Sequence, residues 1–388
     1  MSHRKSVTIL GATGSVGRST LDLIERSPER FEIVALTAHR DVEGLAELAA
    51  RFRPRLAVIG DDRFYGTLQA ALAGTATRIE AGEAAIVEAA AAGAEWTMAA
   101  IVGTAGLRPV MRALKSGGIV ALANKEALVS AGAPMTEAAR ASGATLLPVD
   151  SEHNAIFQCF DRTAPESVRR IILTASGGPF RQRPIEEMRG VTPEQAVAHP
   201  NWSMGAKISV DCATLMNKGL ELIEAYHLFP VEPDALEVVV HPQSVVHSLV
   251  EYVDGSVLAQ LGAPDMRIPI AYTLAWPERM ETPCERLDLV RIGTLDFEPP
   301  DLERFPALRL AREALRQGGA EPAILNAANE IGVASFLERR IGFLDIVSVV
   351  GDTLAAYEPG APSSIDDVLE IDRQARRVAA EIAGKYGR

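Results

Sequence analysis

From residue 6 to about 150 the chain alternates short apolar, β-rich runs with longer alanine-rich stretches of helical character. Candidate strands fall at 7–10, 32–37, 56–59, 97–102, 119–122 and 145–149, with helical stretches at 17–26, 43–51 and 83–92 between them. That alternation predicts βαβ units on a parallel sheet covered by helices on both faces. After Asp150 the pattern changes. Residues 168–175 (VRRIILTA) read as a strand ending in Ser176, Gly177, Gly178 and Pro179. Thr192 is placed to cap a helix, with Pro193 at its first position and Gln195 at its third. Residues 236–241 and 245–253 read as strands, and Asp254 and Gly255 form a hairpin turn into 256–261. This is α+β patterning with at least one antiparallel pair. Pro277, Pro283, Pro299, Pro300 and Pro306 mark an extended linker, and the pattern beyond it is helical. There Ile365, Val368, Leu369, Val378, Ala379 and Ile382 share one face of a last helix that Ser364 can cap. The predicted architecture is α/β: a parallel-sheet domain at 1–150, an α+β domain at 151–276, a linker at 277–306 and a helical bundle at 307–388.

Composition narrows the partners. The chain has 388 residues, 51 acidic against 39 basic, and a formal charge of −12. A nucleic-acid or anionic-membrane binder would carry a basic field, so neither is expected. Cys159, Cys212 and Cys284 are too few and too scattered for a disulfide framework or a cysteine zinc site. The most apolar stretch, 84–103, is interrupted by Glu88 and Glu95 and does not read as a membrane span, and the N-terminus runs into a strand pattern without a signal-peptide core. A cytoplasmic, reduced protein is expected.

Three clusters carry candidate chemistry. GATGSVG at 11–17 follows the first strand and opens the first helix, where glycines and free helix N–H groups suit a pyrophosphate. At the end of the second strand an NAD enzyme would place an acid for the ribose hydroxyl; His39 and Arg40, followed by Asp41, suit a 2′-phosphate instead. Asp150, Ser151 and Glu152 put two carboxylates and a hydroxyl after a strand, a set that fits a hard divalent cation. The segment 199–207 has Trp202 and Met204 between His199 and Gly205 and is placed to cover a ligand; packing of Trp202 in a core is the alternative. Asn217 and Lys218 offer donors to an anion, and Glu221, one helical turn on, can complete a metal site, with Glu224 competing for that role. His227, His241 and His247 read as packed or hydrogen-bonded residues.

Together these motifs resemble the 1-deoxy-D-xylulose 5-phosphate reductoisomerase family. GATGSVG (11–17), ALANKEALVSAG (121–132), PVDSEHNAIFQ (148–158), TASGGPFR (174–181), HPNWSMGAKISVDCATLMNKGLE (199–221), HPQSVVHSLVEY (241–252), QLGAPDMRIPIAY (260–272) and LNAANE (325–330) run in order across nearly the whole chain. The resemblance implies a Rossmann-like NADPH domain, a catalytic domain with a flap at about 199–207, and a homodimer acting on a sugar phosphate. It implies Mg or Mn on Asp150, Glu152 and Glu221, and catalysis by these with Lys125. Lys125 and Ser151 would contact the reacting hydroxyl end, and Ser176, His199, Cys212, Asn217 and Lys218 the phosphate. Trp202 and Met204 would cover the substrate. Thr13, Gly14, Ser15, Val16, His39, Arg40, Asp41, Asn124, Glu126 and Gly205 would meet the cofactor, with His153 and His247 in support. Two departures stand out: Cys212 replaces the usual serine, and His39, Arg40 and Asp41 differ from the usual cofactor-selecting residues. A thiol-dependent semialdehyde dehydrogenase is a rival, but no cysteine lies in a nucleophile motif. A non-catalytic NADP sensor would leave the acidic set without a use.

Overall fold

The computed structural model describes residues 3–198, 202 and 204–387. They divide into two compact units: residues up to 127 with 133–154 and 266–284, and residues 128–132 with 155–265 and everything from 285 onward.

In the first unit seven parallel strands, β1 (Lys5–Leu10), β2 (Phe31–Ala38), β3 (Leu56–Ile59), β4 (Arg78–Ala81), β5 (Trp96–Ala99), β6 (Ile119–Leu122) and β7 (Thr145–Pro148), lie in the order β4-β3-β2-β1-β5-β6-β7. Their near-continuous apolar sequences fit strands buried on both faces, and Val7, Ile9, Leu36, Ala57, Ile59, Trp96 and Met98 share one core. The order in which strands are added reverses between β1 and β5, the switch point at which open α/β sheets bind ligands beyond the strands' carboxyl ends. The strand at 97–102 stops at Ala99, and residues 100–102 carry no strand pairing. β4 is an addition that the sequence pattern missed, an edge strand whose alternating Arg78 and Glu80 hide its β character.

The segment 266–284, assigned above partly to the second domain and partly to the linker, belongs to the first unit. The helix Arg267–Ala275 buries Ile270, Ala271 and Leu274 in the first core. Polar ties fix it there: the Trp96 indole N–H donates to Thr273 O at 2.9 Å, and Lys5 Nζ to Leu274 O at 2.9 Å.

The second unit is built on a four-stranded sheet in the order β11-β10-β8-β9, from β8 (Val168–Ala175), β9 (Leu236–Val240), β10 (Val246–Tyr252) and β11 (Val257–Leu261). β8 pairs parallel with β9, while β10 is antiparallel to both β8 and β11. The helices Ala307–Gln317, Glu321–Leu337, Asp345–Ala356 and Ile365–Tyr386 follow. Leu308, Ala311, Phe336 and Ile346 from these helices share one core with Ile171, Leu173 and Val250 of the sheet, so the C-terminal helices are not a unit of their own. Both predicted caps are formed: Thr192 with Gln195 makes a capping box, and Ser364 accepts from Asp367 N.

Candidate active site

Each candidate residue of the first unit lies at the carboxyl end of a strand. The 11–17 loop leaves β1 with Gly11 at φ 83°, a conformation glycine adopts without strain, and a Cβ there would come within 2.8 Å of Ala100 O. Gly17 has no room for any side chain, because the helix Ser15–Glu25 packs directly on Gly11 and Ala12. The loop is stitched to β2: Ala12 N donates to Thr37 O at 2.8 Å and Gly11 N to the Thr37 hydroxyl at 3.0 Å. Thr13, Gly14, Ser15 and Val16 therefore form the exposed to half-buried rim of a rigid turn at a helix N-terminus.

After β2, His39 and Arg40 are exposed and Asp41 caps the helix Val42–Phe52, accepting from Gly44 N at 2.9 Å. Arg40 Nε meets Asp61 at 3.1 Å, and Arg63 meets the same carboxylate at 2.6 Å. The two guanidinium groups hold the Asp61 carboxyl well below the usual range, Arg63 contributing most. Arg63 is a second cation beside Arg40 that sequence reading missed; the order β3-β2 brings the residues after β3 next to those after β2.

After β6, buried Asn124 caps the helix Lys125–Ser142 by accepting from Ala127 N at 3.0 Å, and donates to Ile101 O at 2.6 Å and Gly103 O at 2.9 Å. It holds the two loops that follow β5 and β6 together. Glu126 lies in the first turn of that helix. Lys125 is buried and its Nζ meets Asp150 Oδ2 at 2.5 Å, so the loops after β6 and β7 are joined by an ion pair. Ser151 and Glu152 open the helix Ser151–Cys159, with the Ser151 hydroxyl donating to Glu152 at 2.6 Å. Asn154 Nδ2 donates back to Pro148 O at 2.9 Å and fixes that first turn.

The second unit carries its own candidate residues. β8 ends at Ala175, and the loop beyond carries half-buried Ser176 between the strand and two left-handed glycines, Gly177 (φ 82°) and Gly178 (φ 67°). Gly178 N donates to Ser176 Oγ at 3.2 Å, and a Cβ on Gly178 would sit 2.7 Å from Cys212 O. The helices Ala206–Thr214 and Met216–Leu228 meet at Leu215, held at φ 62°. That corner puts Cys212 on one side and Asn217 and Lys218 on the other. Asn217 Nδ2 donates to Glu221 Oε1 at 2.5 Å, and Lys218 pairs with Oε2 of the same carboxylate. All three are buried, and Glu224 is buried one turn further along. A buried carboxylate needs a positive partner and hydrogen-bond donors; at Glu221 Lys218 supplies the charge and Asn217 a donor. Trp202 lies with its ring 6.1 Å from that of His247, while Met204 is half-buried and Gly205 caps the helix Ala206–Thr214. His199 lies outside the described residues, as do residues 200, 201 and 203 of the proposed flap.

One further pairing was not foreseen. Asp211 is buried, meets Lys207 at 2.9 Å and accepts from Asn329 Nδ2 at 2.8 Å. Asn329 belongs to LNAANE, a motif noted in the sequence without a role.

Three family models match the chain: 1-deoxy-D-xylulose 5-phosphate reductoisomerase over residues 7–132, its C-terminal domain over 146–229, and the DXP reductoisomerase C-terminal domain over 261–378. A 1-deoxy-D-xylulose 5-phosphate reductoisomerase of Zymomonas mobilis is 60 % identical over 382 residues, covering 98 % of both chains. One of Rhodospirillum centenum is 59 % identical over 386 residues, covering 99 % of this chain and 96 % of its own. Among solved structures, the Zymomonas mobilis reductoisomerase in complex with NADPH superposes with a TM-score of 0.94 at 58 % identity, covering 98 % of this chain and 99 % of its own. A DOX-P reductoisomerase in complex with NADPH, fosmidomycin and magnesium gives the same TM-score at 43 % identity, covering 99 % of this chain and all of the other.

Proposed function

The chain belongs to the 1-deoxy-D-xylulose 5-phosphate reductoisomerase family, and from that premise we propose which of its residues do the work. The activity is the NADPH- and divalent-metal-dependent isomerisation and reduction of 1-deoxy-D-xylulose 5-phosphate to 2-C-methyl-D-erythritol 4-phosphate.

Asp150, Glu152 and Glu221 hold the divalent cation. The donors are all carboxylate oxygens, the set that suits Mg or Mn, and none is a thiolate or imidazole that would favour a softer metal. When bound, the cation supplies Lewis-acid polarisation of the substrate's carbonyl and adjacent hydroxyl, and NADPH supplies the hydride. Lys125, in contact with Asp150, and Ser151 bind the reacting hydroxyl end. Glu152, already accepting from Ser151, takes and returns the hydroxyl proton. Ser176, Asn217 and Lys218 bind the phosphate with His199, and Cys212 contributes a weaker thiol donor. Trp202 and Met204 cover the substrate and exclude water. Thr13, Gly14, Ser15 and Val16 cradle the NADPH pyrophosphate, Arg40 takes the 2′-phosphate beside Arg63, and His39, Asp41, Asn124, Glu126 and Gly205 complete the cofactor's surroundings.

The observation that carries this reading is the buried trio Asn217, Lys218 and Glu221. Two anion donors and one metal-type acid share a single turn of helix, next to the corner that approaches the Ser176 loop. The decisive experiment is NADPH oxidation with 1-deoxy-D-xylulose 5-phosphate, with and without added Mn. Replacing Glu221 by Gln is expected to cut turnover at least ~100-fold, because losing a ligand costs at least as much as losing its supporting residue. NADPH binding should persist. Should Glu224→Gln produce that loss in place of Glu221→Gln, the third ligand is Glu224.

Two wider readings accompany the activity. No helix among the described residues is long and apolar enough to cross a membrane. Cys159, Cys212 and Cys284 form no disulfide, the state that a reducing compartment such as the cytoplasm maintains. A homodimer is supported by β11, a sheet edge with Val257 and Leu258 exposed.

A further inference from the structure

The segment following Thr294 lies in the proline-rich stretch whose sequence predicts a linker, yet it is fastened to the second unit at four points. Glu298 and Val240 exchange both backbone hydrogen bonds at 2.8 Å, adding a short antiparallel rung to the end of β9. The His241 ring is fully buried, stacks on Phe297 with centroids 4.9 Å apart, and its Nδ1–H donates to Asp296 O at 2.9 Å. Gln243 Nε2 donates to the Asp296 carboxylate at 2.5 Å. Glu298 pairs with Arg181.

These fastenings bracket the loop that carries Ser176. On its near side the His241 backbone N–H donates to Ala175 O at 2.7 Å, immediately before Ser176. On its far side the Arg181 stem lies where a side chain on Gly177 would be, 2.5 Å from an ideal Cβ. One strap thus holds both flanks of a loop whose two glycines cannot stiffen it themselves. We propose that the 294–298 strap is a brace that preorganises the Ser176 loop for the substrate phosphate, with His241 as its main positioning residue.

The inference rests on the reading of this loop as part of the phosphate grip. His241 touches no reacting atom in that scheme. Its Nδ1–H fixes the strap and its backbone fixes the loop, so loss of the side chain loosens a preformed anion site and raises the concentration of substrate needed to fill it. Apart from Gly205, the residues assigned to the cofactor belong to the first unit, and none of them takes part in the strap's fastenings.

The test is steady-state kinetics on the full chain with NADPH and Mn, with inorganic phosphate as a competing probe. His241→Phe keeps a ring for the Phe297 stack but removes the donor; it should raise the KM for 1-deoxy-D-xylulose 5-phosphate and the Ki for inorganic phosphate about ten-fold each, with no change in the KM for NADPH. His241→Asn restores an N–H near the Nδ1 position and should recover most of both. Glu298→Gln, a milder surface change suited to the case in which His241→Phe folds poorly, should raise the same two constants about three-fold. The brace is overturned by substrate and phosphate constants that stay at their wild-type values in His241→Phe or Glu298→Gln, by equal defects in the Phe and Asn variants, or by a parallel rise in the KM for NADPH. Ser176→Ala separates the two readings. A raised KM there beside a normal one in His241→Phe removes the brace and keeps the phosphate assignment. The reverse pattern keeps the brace and shows that the loop grips phosphate through its backbone N–H groups.

Discussion

Cys212 lies in the last turn of the helix Ala206–Thr214, with its backbone carbonyl against Gly178. In the phosphate grip proposed above with Asn217 and Lys218, Cys212 would act through its side-chain donor. A hydroxyl donates a stronger hydrogen bond than a thiol, and the difference is on the order of ~1 kcal/mol. Cys212→Ser should therefore keep full turnover and lower the KM for the sugar phosphate by up to about five-fold; a severe loss of activity would contradict the role given to this position. At this scale the sequence conveyed residue types more fully than partners. The carboxylates of Asp150, Glu152 and Glu221 are visible in short motifs, because chain neighbours such as Ser151 or Asn217 lie within one turn. The ion pair of Lys125 with Asp150 spans two loops, and the bond from Asn329 to Asp211 spans 118 residues. Neither has a local periodic trace, so both required the fold.

Among the elements, the long helix Lys125–Ser142 bears the clearest mark of its surroundings. It is interrupted at Ala131, where φ is −136°, and carries Pro134 three residues on. The His227 ring fills the notch beside Gly132 so closely that a Cβ on Gly132 would come within 2.1 Å of its Cδ2. Burial pushes the His227 imidazole down to about 4, against ~6.5 in an unfolded chain. Between these values the unfolded state binds the extra proton, so this contribution to stability is complete above about pH 7 and is lost as pH falls through 4. At pH 5 the loss from this group should be about 2 kcal/mol. Urea denaturation at pH 7.5 and pH 5 checks it: His227→Gln should remove about that much of the wild-type difference, and an unchanged difference would show that His227 does not titrate on unfolding. Strand and helix positions in the parallel sheet were readable because buried strands give unbroken apolar runs. β4 was not, since an edge strand of four residues with two charges has neither the length nor the pattern. The 277–306 stretch shows the opposite failure. Prolines correctly signalled an irregular backbone, but irregular backbone can still be fastened by side chains, as His241 and Gln243 fasten Asp296.

Over the whole molecule, the formal charge of −12 conceals cations placed one by one against acids: Lys125 on Asp150, Lys218 on Glu221, Lys207 on Asp211, and Arg40 with Arg63 on Asp61. Net charge spoke against nucleic acid but was silent about sites built for anions. Charge distribution also bears on assembly. Exposed sheet edges invite pairing with another chain and are usually protected by lysine, proline or a bulge. β11 reads VLAQL, five uncharged residues in a chain of which 23 % are charged, and Val253, Val257 and Leu258 around it are exposed. Its only partner among the described strands is β10. An unprotected apolar edge fits pairing with a second copy of itself, since a two-fold axis needs one self-complementary patch. Sedimentation of the wild-type protein should give a dimer. Leu258→Lys puts a charge opposite its own symmetry mate's neighbourhood and should shift the equilibrium to monomer by at least ~10-fold in Kd, the effect of about 1.4 kcal/mol. The far-UV spectrum should stay unchanged, because Leu258 is half exposed and the core lies on β8 and β10. A wild-type monomer would remove the dimer, and a Leu258→Lys dimer of undiminished affinity would move its interface away from β11.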